Sequence, residues 1–232
     1  MTRRRAEPWE PAELGRFLDH AVTDRLGALY ELIAMTGLRR GEAIGLRWSD
    51  IDLERGLLVV RQQIVQLGHQ TAVARPKTAS GEHRRVDLDE RTVRTLIAHE
   101  FAQAAERATW GQAYVDSGLV FTREDGSALH PEFVTRHFAV LARAAKLRPI
   151  RLHDLRHGQA SLMLAAGVPM AVVSKRLGHS SLAITAEPTR TCLRGSAGTR
   201  PSGRLHWFRA PCTCQSPVPA RHRLTGTWAT SS

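Results

Sequence analysis

Cysteine and tyrosine are scarce in this chain of 232 residues, and each shortage limits the kinds of site that the chain can hold. All 3 cysteines follow position 191, so residues 1–187 hold no disulfide framework and no thiolate metal site. That distribution fits a reducing compartment. Only 2 tyrosines occur, Tyr30 and Tyr114, which leaves few phenol groups for any chemistry.

Long hydrophobic runs are also missing. The longest apolar stretch, 160–173, is too short and too interrupted to cross a bilayer, and no signal-like run follows the N-terminus. Hydrophobic residues make up 42% of the chain and charged residues 24%, which are ordinary globular values. We expect a soluble cytoplasmic protein with no membrane partner.

Acidic residues are absent after Glu187, although the chain as a whole is basic. Its 33 Lys and Arg against 22 Asp and Glu give a net charge of +11, which predicts a polyanionic partner, with nucleic acid as the first candidate. Setting aside the 7 arginines after Glu187 leaves 26 basic and 22 acidic residues, so residues 1–187 carry only +4. The segment 188–232 also lacks hydrophobic periodicity, and we expect no packed domain there.

Hydrophobic spacing predicts helices on both sides of a small sheet, a mainly α fold of the α+β class. Gly37 and Gly178 are predicted to end helices, and Asp89 to precede one. Three β-rich runs predict one small antiparallel sheet. The predicted helices lie within 11–36, 41–48, 93–104, 133–145, 153–166 and 169–178, and the β-rich runs are 56–65, 70–75 and 83–88.

A cluster of basic and imidazole side chains opens the helix predicted at 153–166. His153 and Arg156 stand three residues apart, so they share a helix face and together suit a phosphate. Alone, such a pair is also typical of a solvated helix face. His153 and His157 have the spacing of metal ligands, but the sequence suggests no third ligand, so we expect no metal.

Three further motifs accompany this cluster in a fixed order. Residues 36–42 read Thr-Gly-Leu-Arg-Arg-Gly-Glu, 76–78 read Pro-Lys-Thr, and 177–181 read Leu-Gly-His-Ser-Ser. The ordered set resembles the tyrosine recombinase, or phage integrase, family over about residues 10–187. The resemblance implies a linker remnant at 1–10 and a tyrosine recombinase catalytic domain at 11–187. We interpret 188–232 as a disordered, frameshifted tail.

The resemblance assigns a role to each motif residue. Arg39 and Arg156 correspond to the family's phosphate-binding arginines, and Lys77 to the lysine that protonates the leaving oxygen. His153 and His179 correspond to the histidines that bind and position the phosphate. Double-stranded DNA attachment sites are the implied partner, with self-assembly into a tetramer on the DNA and no cofactor.

Several neighbouring residues have simpler interpretations. Arg84 and Arg85 are read as a solvated strand end that can contact a DNA phosphate. Arg40 is expected to be solvated, and the Trp48-Ser-Asp turn is expected to serve packing rather than base readout.

The expected nucleophile is missing from the chain. The family places a tyrosine about ten residues after the second histidine, where this sequence has Thr189, and neither Tyr30 nor Tyr114 can replace it by position. A one-base shift of the reading frame after Glu187 can restore Thr-Tyr-x-His-Leu at this point. We therefore expect a site-specific DNA recombinase domain, which acts through a 3′-phosphotyrosine intermediate, that is inactive in this chain.

Two alternatives stay open at this stage. Residues 164–184, with Gly167 between two helical segments, resemble a helix-turn-helix, which favours a DNA-binding regulator. That alternative leaves the motif at 36–42 and Lys77 unexplained. The chain could also act as a non-catalytic DNA-binding remnant.

Overall fold

The structure of the protein, a computed structural model, describes residues 7–68, 70–76 and 83–178. Arg39, His153 and Arg156 are among them. Lys77, His179, Thr189 and the whole segment 188–232 lie outside the described residues.

Helices account for most of the described chain, and their ends agree with the sequence signals. Asp89 caps the fourth helix by accepting a hydrogen bond of 2.9 Å from the backbone N–H of Thr92. None of the described helices is both long and apolar enough to cross a membrane. The helices are α1 (Pro11–Ala21), α2 (Gly27–Thr36), α3 (Arg40–Ile44), α4 (Glu90–Trp110), α5 (Pro131–Ala144), α6 (Leu152–Ala165) and α7 (Met170–Leu177), with 3₁₀ turns at Trp48–Asp50 and Gly111–Ala113.

The strands form two antiparallel units rather than the single predicted sheet. The run predicted at 56–65 is broken at Arg61 and Gln62, where the Gln62 side chain donates to the Gly45 carbonyl at 2.9 Å. The strands are β1 (Ile51–Asp52), β2 (Leu57–Val60), β3 (Gln63–Leu67), β4 (Gln70–Ala74) and β5 (Arg84–Asp87). Strand β2 pairs with β1 and β5, while β3 pairs with β4 and with no other described strand. The mainly α fold with small antiparallel sheets is confirmed, and the prediction of one sheet is wrong.

An aromatic cluster fills the core between α1, α2 and α5. Phe17 lies with its ring centroid 5.1 Å from that of Phe138 and 5.9 Å from that of Tyr30, both in edge-to-face geometry. Trp9 joins this cluster and donates its indole N–H to the Arg148 carbonyl at 2.9 Å. Residues just before the predicted domain start at residue 11 therefore contribute to the same core.

One predicted helical stripe is only partly buried. Leu96 is fully buried, whereas Ile97 is 37% exposed and Phe101 is 74% exposed. Helix α4 thus contributes its N-terminal half to the core and carries large apolar side chains into solvent further along.

Two glycines end helices close to each other in space. Gly37 follows α2 with φ of 69° and Gly178 follows α7 with φ of 67°, the left-handed region that glycine adopts without strain. The stops predicted from the sequence are confirmed. The carbonyl groups at these two helix ends reappear in the site described below.

Candidate active site

Helix α3 is preceded by an arginine that its own glutamate fixes in place. Arg39 donates its backbone N–H to Oε2 of Glu42 at 2.8 Å and its Nη1 to Oε1, also at 2.8 Å. Its Nη2 lies 3.3 Å from the Gly178 carbonyl oxygen. The side chain of Arg39 keeps 24% of its surface exposed, while that of Glu42 is fully buried. Because Glu42 follows Arg39 by three residues, its carboxylate can both cap the start of α3 and orient the Arg39 guanidinium.

A second arginine reaches the same carboxylate from the sheet. Arg84, on β5, donates Nη1 to Oε1 of Glu42 at 3.0 Å and Nη2 to Oε2 at 2.7 Å. Its Nε donates to the Arg176 carbonyl at 3.1 Å. Burial raises the pKa of Glu42, but the bonds from Arg84 and Arg39 outweigh it and hold that pKa at about 2. Glu42 is thus a permanent anion at the centre of the site.

The expectation of a solvated strand end is wrong for Arg84 and confirmed for Arg85. Along β5 the side chains alternate, so Arg84 and Val86 are buried while Arg85 and Asp87 are exposed. Sequence reasoning missed the ion pair, although this alternation with Val86 could have shown that Arg84 points into the domain.

Arg156 lies at the meeting point of two helix ends. It is only 2% exposed and donates Nη1 to the Gly37 carbonyl and Nη2 to the Leu177 carbonyl, each at 2.5 Å. Burial, with the nearby charge of Arg39, lowers the pKa of Arg156 to about 9, so it remains charged at neutral pH. Gln159, one turn later on α6, donates to the Met35 carbonyl at 2.7 Å and fixes α6 against α2.

His153 lies in the first turn of the same helix and is solvent-exposed on one side. Desolvation by the surrounding protein lowers its pKa to about 4, helped by His157 and by the charge of Arg156. The rings of His153 and His157 meet edge to face with centroids 4.8 Å apart. Among the described residues, no group of three or more His, Cys, Asp or Glu side chains is arranged to hold a metal.

The charges of these groups do not cancel. Arg39, Arg84 and Arg156 face the single carboxylate of Glu42, and His153 beside them is neutral at pH 7. The excess of positive charge, with the partly exposed guanidinium of Arg39, favours an anionic ligand of phosphate geometry.

Other residues singled out in the sequence have structural contacts. Arg40 is half-buried and donates Nη1 to Oγ1 of Thr135 at 2.6 Å, so the expectation that it is solvated is wrong. The indole N–H of Trp48 donates to Gln103 at 2.7 Å, which confirms a packing role for this turn. Tyr30 is fully buried with its hydroxyl bonded to the Val134 carbonyl at 3.0 Å, which keeps it from acting as a surface nucleophile.

The structure brings together three of the residues assigned from the motifs. Arg39 and Arg156 donate to the neighbouring carbonyls of Gly178 and Leu177, and His153 stands two residues into the helix that carries Arg156. We call Arg39, Arg156 and His153, with Glu42, the arginine cradle.

Solved structures with this architecture are tyrosine recombinases. XerA recombinase is 22% identical, with a TM-score of 0.66, and the match covers 84% of this chain and 63% of that one. The Tn1549 transposon integrase, solved in complex with transposon right end DNA, is 18% identical with a TM-score of 0.68 over 85% of this chain and 69% of that one. The described fold is therefore that of a tyrosine recombinase catalytic domain.

The chain belongs to the phage integrase family, whose model matches residues 10–190. The tyrosine recombinase XerC-like protein of Caldanaerobacter subterraneus is 31% identical over 192 residues, which cover 78% of this chain and 49% of that protein. The ICEBs1 integrase of Bacillus subtilis is 29% identical over 187 residues, covering 80% and 50%. The chain thus spans about half the length of these curated relatives. Family membership replaces the helix-turn-helix regulator as the interpretation of α6 and α7.

Proposed function

We propose that this chain carries the phosphate-binding cradle of a site-specific DNA recombinase and binds double-stranded DNA through it. The observation that carries the proposal is the pair Arg39 and Arg156, both held at the ends of helices beside one buried carboxylate. Two guanidinium groups fixed before the ligand arrives suit a phosphodiester whose non-bridging oxygens gain charge during strand transfer.

The remaining roles follow from the chemistry of strand cleavage. A tyrosine oxygen attacks phosphorus, the bond to the 5′ oxygen breaks, and that oxygen takes a proton from Lys77. His153, neutral at pH 7, donates one ring N–H toward the phosphate, and His179 is assigned the same task. The protein–DNA ester conserves the bond energy, and attack by a second 5′ hydroxyl reverses the step, so no cofactor is needed.

Thr189 occupies the position of the nucleophile, and this makes the chain inactive in strand cleavage under our proposal. A threonine hydroxyl is shorter than a phenol and much less acidic, and it has no base assigned to it. The chain would then act as a DNA-binding remnant. A one-base shift after Glu187 would restore the family's tyrosine, and with it cleavage at attachment sites and assembly into a tetramer on DNA.

A covalent-trapping assay tests this proposal. The substrate is a duplex from the DNA flanking the coding sequence, nicked beside the cleavage position so that the short strand is lost after attack. Three chains are compared: the unaltered chain, the frame-restored chain with Thr189→Tyr, and the same restored chain with Thr189→Phe. We expect an SDS-stable adduct only from the Thr189→Tyr chain.

Two further results would overturn parts of the proposal. An adduct from the unaltered chain would show that another group supplies the nucleophile. A restored chain that binds the duplex equally well after Arg39→Gln or Arg156→Gln would show that the phosphate is held elsewhere. The exposed Arg94, whose side chain is 69% accessible on α4, gives the matched control Arg94→Gln.

A further inference from the structure

A second pair of arginines is fixed by a buried carboxylate outside the arginine cradle. Asp50 has a side chain only 3% exposed, and its Oδ2 accepts from Nε of Arg47 at 3.2 Å while its Oδ1 lies 3.0 Å from Nε of Arg61. Two guanidinium groups against one carboxylate leave one uncompensated positive charge. We call these three residues the Asp50 triad.

The geometry of the Asp50 triad leaves its outer donors available. Both arginines meet Asp50 through Nε. Among the residues that the structure describes, no group bonds to the Nη atoms of Arg47 or Arg61, whose side chains are 39% and 48% exposed. A guanidinium that is held in place but still has unused N–H donors is suited to bind an external anion.

A groove whose described lining residues include no acidic side chain begins at Arg47 and continues past the β3–β4 hairpin. One part, with a volume of about 430 Å³, has a mostly apolar wall, and its polar lining includes Arg47, Gln62 and Thr71. The adjoining part, of about 410 Å³, shares Thr71 and includes Arg123 and His130. Among the described residues that line the two parts there is no Asp or Glu, so the groove repels no anion along its length.

We propose that the Asp50 triad is a second phosphodiester-binding site, which holds the DNA backbone outside the arginine cradle and passes it into the groove toward Arg123. The proposal rests on the proposed function, since the ligand is the same duplex. Arg39 precedes α3 and Arg47 follows it, so the two sites stand at opposite ends of one short helix. The triad would contact phosphates of the duplex other than the scissile one and carry no base specificity.

The test measures the salt dependence of DNA binding by fluorescence anisotropy, with the full chain and a fluorescent duplex of about 30 base pairs. Each phosphate contact contributes about −0.9 to the slope of log affinity against log salt concentration. We expect Arg61→Gln to make this slope less steep by about 0.9. If the variant and the unaltered chain bind equally at about 1 M NaCl, that change in slope weakens binding by the variant about eightfold at about 0.1 M NaCl. Arg55→Gln is the matched control, because Arg55 is 83% exposed and its partner Asp52 is itself accessible.

A second variant separates a shaped site from general positive charge. Asp50→Asn adds one positive charge to the chain but releases both arginines, so we expect weaker binding despite the added charge, in a chain whose thermal unfolding confirms that it folds. Equal changes for Arg61→Gln and Arg55→Gln, or tighter binding after Asp50→Asn, would overturn the second site while leaving the proposed function intact. Failure of the unaltered chain to bind the duplex would overturn both.

Discussion

His153 shows how a single residue in the cradle is kept ready to donate a hydrogen bond. Desolvation and the neighbouring cations lower its pKa to about 4, well below the 6.5 of a free imidazole. At neutral pH it therefore carries one ring proton and one lone pair. A phosphate placed beside it receives a hydrogen bond without the repulsion that a protonated ring would add to the arginines.

This shift predicts a pH dependence of stability with a defined sign. Between about pH 4 and 6.5 the unfolded chain holds a proton on His153 that the folded chain does not, so the free energy of unfolding should rise as pH increases across that window. Urea unfolding at several pH values measures it, with His153→Gln as the comparison, in which this contribution should vanish. An NMR titration of the His153 ring with a midpoint near 6.5 would contradict the prediction.

At the scale of elements, the arginine cradle depends on strand β5 as much as on the helices that carry the motifs. Arg84 joins β5 to α3 through Glu42 and to α7 through the Arg176 carbonyl. Arg176 in turn donates Nη2 to the Asp87 carbonyl at 2.8 Å. Three elements distant in sequence are therefore bonded around one buried carboxylate.

Neighbouring residues on β5 should respond very differently to the same substitution. Arg84→Gln leaves the buried Glu42 without its bidentate partner and should lower the free energy of unfolding by about 3–5 kcal/mol. Arg85→Gln removes the same charge from an exposed position and should change it by less than about 0.5 kcal/mol. Urea denaturation of both variants decides, and equal losses would show that the ion pair contributes nothing beyond charge.

Local signals in the sequence predict the ends of elements better than their packing. Gly37, Gly178 and Asp89 act through their own backbone or side chain, so a short stretch of sequence is enough to place them. The break between β2 and β3 depends on Gln62 meeting a carbonyl 17 residues away, and the burial of Arg84 depends on Glu42, 42 residues away. Such contacts become visible only when the fold brings the partners together.

The same distinction applies to the candidate site. Arg39, His153 and Arg156 could be named from ordered motifs, because each lies next to residues of recognisable spacing. The Asp50 triad could not, since Arg47 and Arg61 are 14 positions apart in sequence and are joined only by the buried carboxylate between them.

At the scale of the whole molecule, positive charge is divided between residues 1–187 and the segment 188–232, which differ in composition. Residues 1–187 carry +4, while the 7 arginines after Glu187 bring the total to +11. The arginine cradle and the Asp50 triad, which we propose to hold particular phosphates, both belong to residues 1–187. The remaining charge adds attraction to any polyanion.

Removal of residues 188–232 should therefore separate the two kinds of binding. We expect the truncated chain to bind a duplex of arbitrary sequence more weakly and with a less steep salt slope, because 7 guanidinium groups are lost. Fluorescence anisotropy over a range of NaCl concentrations measures this. A full-length chain with those arginines replaced by glutamine is the control for length, and an unchanged slope in both would show that they do not neutralise phosphates.

Arg156 joins the end of α2 to the end of α7 through its two Nη groups. It is also one of the two arginines that we propose to bind the phosphate. A genetic screen that scores only recombination therefore cannot assign the effect of a substitution at this position, because the substitution removes phosphate binding and destabilises the folded domain at the same time. Selection cannot relax one requirement while keeping the other. If the nucleophile is lost, as we propose, the gene should still retain this arginine for as long as the folded domain itself has any use to its host.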